Sequence, residues 1–484
     1  MQDQISTLGI DFGLIGPELA LLVAAAVILL FAFSRKIEKL APWIGAAGLL
    51  TALGLSIGQW TVGGDGFSGM VSVDEFGVIF KILFCVASFL SLLMAHRYFQ
   101  VLNIARSEFY ALLLVSTMGM MVMANTSDLV VMFLGLEIMS VPLYVMAGFN
   151  RRSLESNEAG IKYFVMGAFA TGFLLMGIAF IFGAAETTNL ERIITDFAFI
   201  QAHAGAYLYF GAALVLIGFG FKVAAVPFHN WVPDVYQGAP TPVTAFFSVA
   251  PKAAAFAVLL RIFAYGLADL DILTPIFSAL AVLTMTVGNI MALRQDNVKR
   301  MLAYSSISHA GYILVAFAVG GGDAISAAIF YLIGYTMFNL GGFAIVTLLE
   351  TRTGSKSDFG ELVGLSRSNP YLAFLLAVFM FALSGFPPTV GFFGKLYIFS
   401  AAVKGDMVWL AVVGVMNSFL SVYYYLRVIK VSYFDTFEGK LSPVKVPLTI
   451  GFILLVTLVG TLGIGLFPDR ILEMSRAALS SLLG

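Results

Sequence analysis

The sequence predicts an all-α integral membrane protein with about fourteen transmembrane helices. Of its 484 residues, 60% are hydrophobic and only 11% are charged, whereas soluble domains have about 45–50% apolar and about 25% charged residues. Apolar runs of about 20 residues, the length that crosses the hydrocarbon layer as a helix, recur along the chain. These runs are continuous rather than alternating, which argues against the strands of a membrane β-barrel.

Fourteen runs are long and apolar enough to be candidate spans. The division between the fourth and fifth runs rests on one short polar segment at residues 124–128. The runs lie near residues 17–34, 42–60, 75–95, 108–124, 129–149, 160–183, 206–236, 242–265, 272–292, 298–319, 324–350, 370–401, 406–431 and 447–467.

The distribution of basic residues supports this number of spans independently. When the gaps between runs are taken alternately, one set contains 18 of the 27 lysines and arginines, the other set with both tails contains five, and four lie inside spans. Cytoplasmic loops carry an excess of Lys and Arg, and a missed span would scramble the alternation. We therefore predict that both termini lie on the non-cytoplasmic side of the membrane.

The seventh and twelfth runs are interrupted by proline. Pro227 lies inside the seventh run, and Pro387 and Pro388 lie inside the twelfth. Proline in a helix interior removes a backbone hydrogen bond and kinks or breaks the helix. Interrupted helices at corresponding places in two halves of a membrane protein point to a transport pathway.

Several ionisable side chains lie inside the predicted spans. A charge at the bilayer centre costs at least about 2.5–3.5 kcal/mol, so each such residue needs a partner, water or a function. The candidate proton-carrying residues are Glu137, Lys222, Lys252, Lys395, His229 and His309.

A structural role is the competing interpretation for each of these residues. The lysines near mid-span could belong to buried ion pairs, and the two histidines could be packing residues. A fourth in-span lysine, Lys81, lies a few residues inside its span. We expect it either to reach the interface with its long side chain or to pair with Asp74 or Glu75.

Lysine suits proton transfer inside a membrane for a physical reason. Burial favours the neutral amine, whereas a neighbouring carboxylate favours the ammonium form. A glutamate–lysine pair that forms and breaks can therefore switch the lysine between holding and releasing a proton, and neutral histidines can relay protons near physiological pH.

Other function classes have little support in the sequence. The net charge of −1 offers no basic field for nucleic acid. The single cysteine, Cys85, can form neither an internal disulfide nor a four-cysteine metal site. We find no P-loop and no dinucleotide-binding fingerprint, so the work of moving protons must come from elsewhere.

One long segment resembles a known family. Residues 222–246, KVAAVPFHNWVPDVYQGAPTPVTAF, are similar to the signature of the antiporter-like subunits of respiratory complex I, the proton-pumping NADH:quinone oxidoreductase, and of multisubunit cation/proton antiporters. The resemblance covers the whole chain. The residues around Asp234 and Pro251-Lys252, together with Lys395 rather than glutamate, are most similar to those of the N-type subunit of bacterial complex I.

The resemblance implies an architecture of two inverted five-helix repeats with interrupted helices 7 and 12. The implied units are residues 1–106 (helices 1–3), 107–267 (helices 4–8), 268–435 (helices 9–13) and 436–484 (a loop and helix 14).

The resemblance also implies a role for each candidate residue. Glu137 matches the glutamate that modulates Lys222, and Lys222 matches the proton holder of one half-channel. Lys252 matches the connecting lysine, and Lys395 matches the terminal lysine on the exit side. His229 and His309 match relay positions less closely.

No redox cofactor is implied in this chain. FMN, iron–sulfur clusters and quinone are expected in partner subunits, and the implied partners are antiporter-like siblings, small membrane subunits and lipids. Two alternatives stay open: a subunit of a sodium/proton antiporter without redox activity, and a proton-inert assembly scaffold.

Overall fold

The structure is a computed structural model that describes residues 11–32, 35–104, 106–270, 272–353, 357–435 and 443–483. Within these ranges the chain is almost entirely helical, and its one sheet is a hairpin of β1 (Gly64–Gly66) and β2 (Val71–Val73) that pair antiparallel. The hairpin joins the second long helix to the third.

The helices of the first half carry the predicted spans one to eight. In chain order they are α1 (Gly16–Leu30), α2 (Arg35–Gly58), α3 (Glu75–Leu102), α4 (Ser107–Ala124), α5 (Leu129–Ala147), α6 (Leu154–Ala185), the short α7 (Leu190–Thr195), α8 (Phe197–Val223), α9 (Trp231–Gly238) and α10 (Thr241–Leu259), which continues as a π-helical turn over Leu260–Gly266.

The helices of the second half carry the remaining predicted spans. They are α11 (Leu273–Leu293), α12 (Val298–Val319), α13 (Gly321–Thr353), the short α14 (Leu365–Ser368), α15 (Pro370–Ser384), α16 (Val390–Lys404), α17 (Val408–Tyr433), α18 (Leu448–Leu466) and α19 (Pro468–Leu483).

The protein is an integral membrane protein. Among the described residues, twelve helices are long and apolar enough to cross a membrane, and the shorter helices α1 and α15 are also apolar. In three long helices, α10, α12 and α13, 94–100% of the most apolar stretch is buried inside the protein. They therefore form the centre of the bundle, and the other helices present apolar side chains outward.

The chain leaves the helical path at both proline-containing runs. Between α8 and α9, Ala224 adopts a left-handed conformation with φ of +65° before Pro227. Between α15 and α16, Gly385 has a φ of +84° before Pro387 and Pro388. Each break leaves carbonyl groups at a helix end without intrahelical partners, and these groups become available to side chains.

A buried ion pair near the start of α3 corrects one prediction. The Lys81 ammonium lies 2.8 Å from Glu18 Oε1 on α1, and it also donates to Gln59 Oε1 at 3.0 Å. Lys81 therefore neither reaches the interface nor pairs with Asp74 or Glu75. Asp74 instead pairs with Arg261 at 2.7 Å.

The prediction failed because both partners come from other helices. Lys81 is buried against α1 and the turn that follows α2. The Glu18 carboxylate therefore lies closer to its ammonium than Asp74 or Glu75, at the start of its own helix, does. Pairing is required, since an unpaired charge in this position has no water to solvate it.

Glycines allow α6 and α8 to approach each other closely. A Cβ atom on Gly177 would lie 2.7 Å from both the Gly211 carbonyl oxygen and the Val215 nitrogen, which are backbone atoms. Small residues at helix contacts are the usual device for tight packing in membranes, where lipid supplies no hydrophobic force between helices.

We expect Gly177→Ala to push α6 and α8 apart and to lower the thermal stability of the protein in detergent by about 1–3 kcal/mol, the usual cost of overpacking. Gly172→Ala on the same helix is the control, because nothing lies within 4 Å of its Cβ position. Equal melting temperatures for the two variants would show that the close approach is not needed.

Candidate proton-transfer site

One face of α12 carries a row of polar side chains through the centre of the bundle. Ser305, Ser306, His309 and Tyr312 follow one another at intervals of one, three and three residues, and residues spaced by three or four share a helix face. All four side chains are buried. Lys252 meets this row at Ser306, and Lys395 meets it at Tyr312.

Lys252 on α10 lies at one end of the row. Its ammonium donates to the Ser306 carbonyl oxygen at 2.8 Å and also to the Ser306 hydroxyl. The side chain is 4% exposed, so the contact with α12 replaces solvation by water.

His309 occupies the middle of the row between two tyrosines. Its Nδ1 is hydrogen-bonded to the Tyr331 hydroxyl at 2.6 Å, and its Nε2 is hydrogen-bonded to the Tyr425 hydroxyl at 3.0 Å. The Tyr425 hydroxyl is also 2.5 Å from Ser305 Oγ. A hydroxyl both donates and accepts, and a neutral imidazole has one donor and one acceptor nitrogen, so each link can carry a proton.

Lys395 on α16 lies at the other end, against the end of α15. Its ammonium donates to the carbonyl oxygens of Leu383 at 3.2 Å and Ser384 at 2.9 Å. These are carbonyls that the broken helix leaves without partners, at the end where the helix dipole favours a cation. The Ser418 hydroxyl accepts a third bond at 2.9 Å.

Two neighbours bring Lys395 to the α12 row. The ammonium lies 4.8 Å from the centre of the Tyr312 ring, a cation–π distance. A Cβ atom on Gly385 would lie 2.9 Å from Lys395 Cδ, so the left-handed glycine at the break also makes room for the lysine.

Lys222 is on the last turn of α8, directly before the first break. It donates to Ser140 Oγ at 2.8 Å and to the Tyr144 hydroxyl at 3.2 Å, both on α5. The rings of Tyr144, Tyr163 and Phe221 lie 5.1–5.8 Å from its ammonium. The lysine is thus held by neutral hydroxyls and aromatic faces.

Glu137 lies on α5, one turn before Ser140. Its Oε1 is buried and makes no hydrogen bond. Within the described ranges, no ion pair at 4.0 Å or less joins Glu137 to Lys222. Glu137 and Ser140 are three residues apart and share a helix face, and the Ser140 hydroxyl accepts from Lys222.

An aromatic cluster beside Lys222 reaches α10. The Tyr163 ring, which faces Lys222, stacks on Trp231 with 4.4 Å between centroids and lies 5.6 Å from Phe247. Phe247 is on α10, the helix of Lys252. The hydrogen bonds of Lys222 go to Ser140 and Tyr144 on α5 and not to the polar row on α12.

His229 lies between α8 and α9 and is half-buried. Its Nδ1 is buried without a hydrogen-bond partner. The structure does not bring His229 into the hydrogen bonds of Lys222, whereas it places His309 at the centre of the polar row.

The electrostatic character of the site is unusual. Lys222, Lys252 and Lys395 are 6%, 4% and 5% exposed, and in the described part of the chain none has a carboxylate within 4.0 Å. Their partners are hydroxyls, carbonyls and rings. A hydroxyl accepts from an ammonium and donates to an amine, so this environment accommodates both the protonated and the neutral form. Across the described ranges, no cluster of three or more His, Cys, Asp or Glu side chains could hold a metal ion.

Several members of this site carry no obvious signal in the sequence. Tyr331 and Tyr425 come from long aromatic-rich runs on α13 and α17, and only folding brings them to His309. Ser140 was more accessible to prediction, because it lies three residues after Glu137 and therefore on the same helix face.

A family profile and similar proteins agree with the resemblance. Residues 126–421 match the family described as NADH:quinone oxidoreductase/Mrp antiporter, transmembrane. The chain belongs to this family. The chain is also 45% identical over 477 residues to the NADH-quinone oxidoreductase subunit N of Trichlorobacter lovleyi, covering 97% of both chains. The predicted family is therefore confirmed.

Solved structures share the fold. A chain of respiratory complex I from Thermus thermophilus with bound aureothin superposes with a TM-score of 0.80 at 32% identity, covering 94% of this chain and 98% of that one. A chain of the Mrp complex from Dietzia superposes with a TM-score of 0.84 at 21% identity, covering 97% and 99%. The second likeness concerns the fold alone, so the antiporter-like membrane fold is common to both kinds of complex.

Proposed function

We propose that this chain is a proton-translocating membrane-arm subunit of a bacterial NADH:quinone oxidoreductase. The observation that carries the proposal is the buried polar row on α12, which Lys252 meets at Ser306 and Lys395 meets at the Tyr312 ring, with His309 hydrogen-bonded to two tyrosine hydroxyls between them. A row of buried polar side chains with a lysine at each end has no evident structural need, because ordinary packing would fill the same space with apolar side chains.

In this proposal each candidate residue has a distinct task. Lys222 holds a proton taken up through the first half of the chain, and Glu137 controls how firmly it is held. Lys252 passes protons to the α12 row, His309 relays them between tyrosine hydroxyls, and Lys395 releases them on the periplasmic side. His229 serves the Lys222 half-channel.

We further propose fourteen crossings with both termini periplasmic. The two interrupted crossings are α8 with α9 and α15 with α16. On this basis residues 107–267 and 268–435 are two inverted five-helix units, preceded by three helices in residues 1–106 and followed by a loop and one helix in residues 436–484. The similarity to bacterial subunits supports a bacterial inner membrane, and the basic loops support the orientation.

The energy for transport is supplied by partner subunits in this proposal. FMN, iron–sulfur clusters and quinone belong to those partners, so this chain acts as a non-redox part of the enzyme. Its direct neighbours are antiporter-like siblings, small membrane subunits and lipids. Redox-driven changes there would alter the charge next to Lys222 or Lys395 and so drive protons along the row.

Purification in mild detergent tests the assignment to a redox complex. A tag on this chain should bring down partners that contain flavin and iron–sulfur clusters, detected by their absorbance and by NADH oxidation. Recovery of the intact chain with transporter subunits and no flavin would favour a sodium/proton antiporter instead.

Replacing Glu137 tests the control of Lys222. We expect Glu137→Gln to lower the rate of NADH-driven proton pumping about tenfold, since one nearby charge changes a proton affinity by about that factor. Assembly should survive, because Glu137 Oε1 makes no hydrogen bond that the variant would lose. Normal pumping by a fully assembled variant would remove the assigned role.

A further inference from the structure

A polar cavity lies at the end of the bundle where α10 begins. It has a volume of about 270 Å³. Its lining includes Tyr98, Lys299 and Glu350, with residues of the α9–α10 turn. Arg151 and Arg152 follow α5 at this end, and loops rich in basic residues lie on the cytoplasmic side, so the proposed orientation puts the cavity on that side.

Glu350 is one of two acidic residues that line the cavity, with Glu155. Its Oε1 accepts from the Tyr98 hydroxyl at 2.9 Å, and its Oε2 accepts from the Thr241 hydroxyl and from Ser357 Oγ at 3.4 Å. No lysine or arginine among the described residues forms an ion pair with it. Lys299, which lines the same cavity, donates instead to the Ala239 carbonyl oxygen at 2.7 Å.

Thr241 is the first member of a row of hydroxyls on α10. Thr241, Thr244 and Ser248 precede Lys252 at intervals of three, four and four residues, so all four lie on one face. All are buried. The row runs about 16 Å along the helix from Thr241 to Lys252, given a rise of about 1.5 Å per residue.

A matching row on α13 faces the α10 row in the opposite direction. Glu350 meets Thr241 at one end, and Asn339 donates to Ser248 Oγ at 2.7 Å in the middle. Tyr335, one turn from Asn339, has a buried hydroxyl without a partner and its ring lies 5.1 Å from that of His309. The antiparallel helices α10 and α13 thus provide a line of polar side chains that leads from Glu350 to the polar row on α12.

We propose that Glu350 and the α10 hydroxyls form a cytoplasmic proton-uptake path that leads directly to Lys252. The inference rests on the proposed function, since it requires Lys252 to exchange protons. It adds a second point of uptake that does not pass through Lys222, whose hydrogen bonds go to α5 rather than to the α12 row.

In the proposed transfer, a proton from cytoplasmic water binds the Glu350 carboxylate and forms the carboxylic acid. The acid gives its proton to Thr241 Oγ while the Thr241 hydroxyl releases its own proton toward Thr244, and each hydroxyl repeats this exchange. The hydroxyls of Thr244 and Ser248 donate to the carbonyl oxygens of Tyr236 and Ala245, so the transfer requires each hydroxyl to rotate and a water molecule to bridge successive turns, where Cβ atoms lie about 5–6 Å apart. The last proton forms an N–H bond on the neutral Lys252 amine, and the hydroxyls then rotate back.

Substitutions in the assembled complex test this path. In proteoliposomes, we expect Glu350→Gln to lower NADH-driven proton pumping at least about 100-fold, because a positioned acid–base group is lost. Thr244→Val, which keeps the side-chain shape, should give a loss in the same direction. Glu350→Asp should restore part of the activity, whereas a merely structural acceptor would be served as well by glutamine.

Controls separate this inference from the function on which it rests. Thr336→Val removes another buried hydroxyl of α13, which donates to the Leu332 carbonyl, and it should pump normally. NADH oxidation by a water-soluble electron acceptor reports intact assembly. Wild-type pumping in both Glu350→Gln and Thr244→Val, with Lys252→Ala inactive, would overturn the uptake path alone. Wild-type pumping in Lys252→Ala would overturn the proposed relay itself.

Discussion

Lys222→Ala is expected to lower NADH-driven proton pumping at least about 100-fold, the low end of what a positioned proton-transfer group contributes. Alanine leaves the hydroxyls of Ser140 and Tyr144 without the ammonium that they hold at 2.8 and 3.2 Å. Neither hydroxyl can store a proton at neutral pH, so the first half of the chain loses its proton holder. The measurement is acidification inside proteoliposomes, followed with a pH-sensitive dye.

The design must separate this loss from a failure to assemble. Lys404→Ala removes an exposed lysine that pairs with Asp323 at 2.9 Å, and it should leave pumping unchanged. Both variants should oxidise NADH with a water-soluble acceptor at the wild-type rate. If assembled Lys222→Ala complex pumps as fast as the wild type, Lys222 is structural and the α8 break has no transport role.

Lys81→Met is expected to destabilise the protein by about 3–5 kcal/mol, the cost of leaving a buried charge without its partner. Glu18 on α1 would lose its ionic partner, and its Oε2 already lacks a hydrogen-bond partner. The measurement is the thermal unfolding transition of the purified protein in detergent, together with its yield in the membrane.

A double variant shows whether the protein needs the ion pair itself or only the absence of an unpaired buried charge. Replacing both partners of a buried ion pair by apolar residues is often neutral or stabilising, so Glu18→Leu combined with Lys81→Met should recover most of the stability. Proton pumping should recover with it, because the pair lies outside the row between Lys252 and Lys395. Loss of pumping in a stable double variant would instead place Lys81 in the transport path.

The number of spans illustrates how sequence and structure differ. Fourteen apolar runs can be read from the sequence, while twelve helices meet the length and hydropathy of a span in the described structure. The difference arises partly because proline divides the twelfth run into α15 and α16, each of 15 residues. A window on the sequence sums over the break, whereas a helix ends at it.

The candidate site shows the same division. The costs of burial and of charge select Lys222, Lys252 and Lys395 in the sequence, because few side chains are so expensive inside a membrane. They cannot select Tyr331, Tyr425 or Glu350. A tyrosine in an apolar run is an ordinary packing residue until its hydroxyl meets a partner, and Glu350 lies at the end of its run.

The sequence by itself determined the membrane location, the helical class, the two interruptions and the family, since each depends on local composition or on a contiguous motif. Only the tertiary structure decided which polar groups meet: that Lys81 pairs with Glu18, that His309 lies between two tyrosines, and that Glu350 meets Thr241. Hydrogen bonds act over about 3 Å, and residues brought this close come from helices far apart in the chain, so no local pattern encodes their pairing.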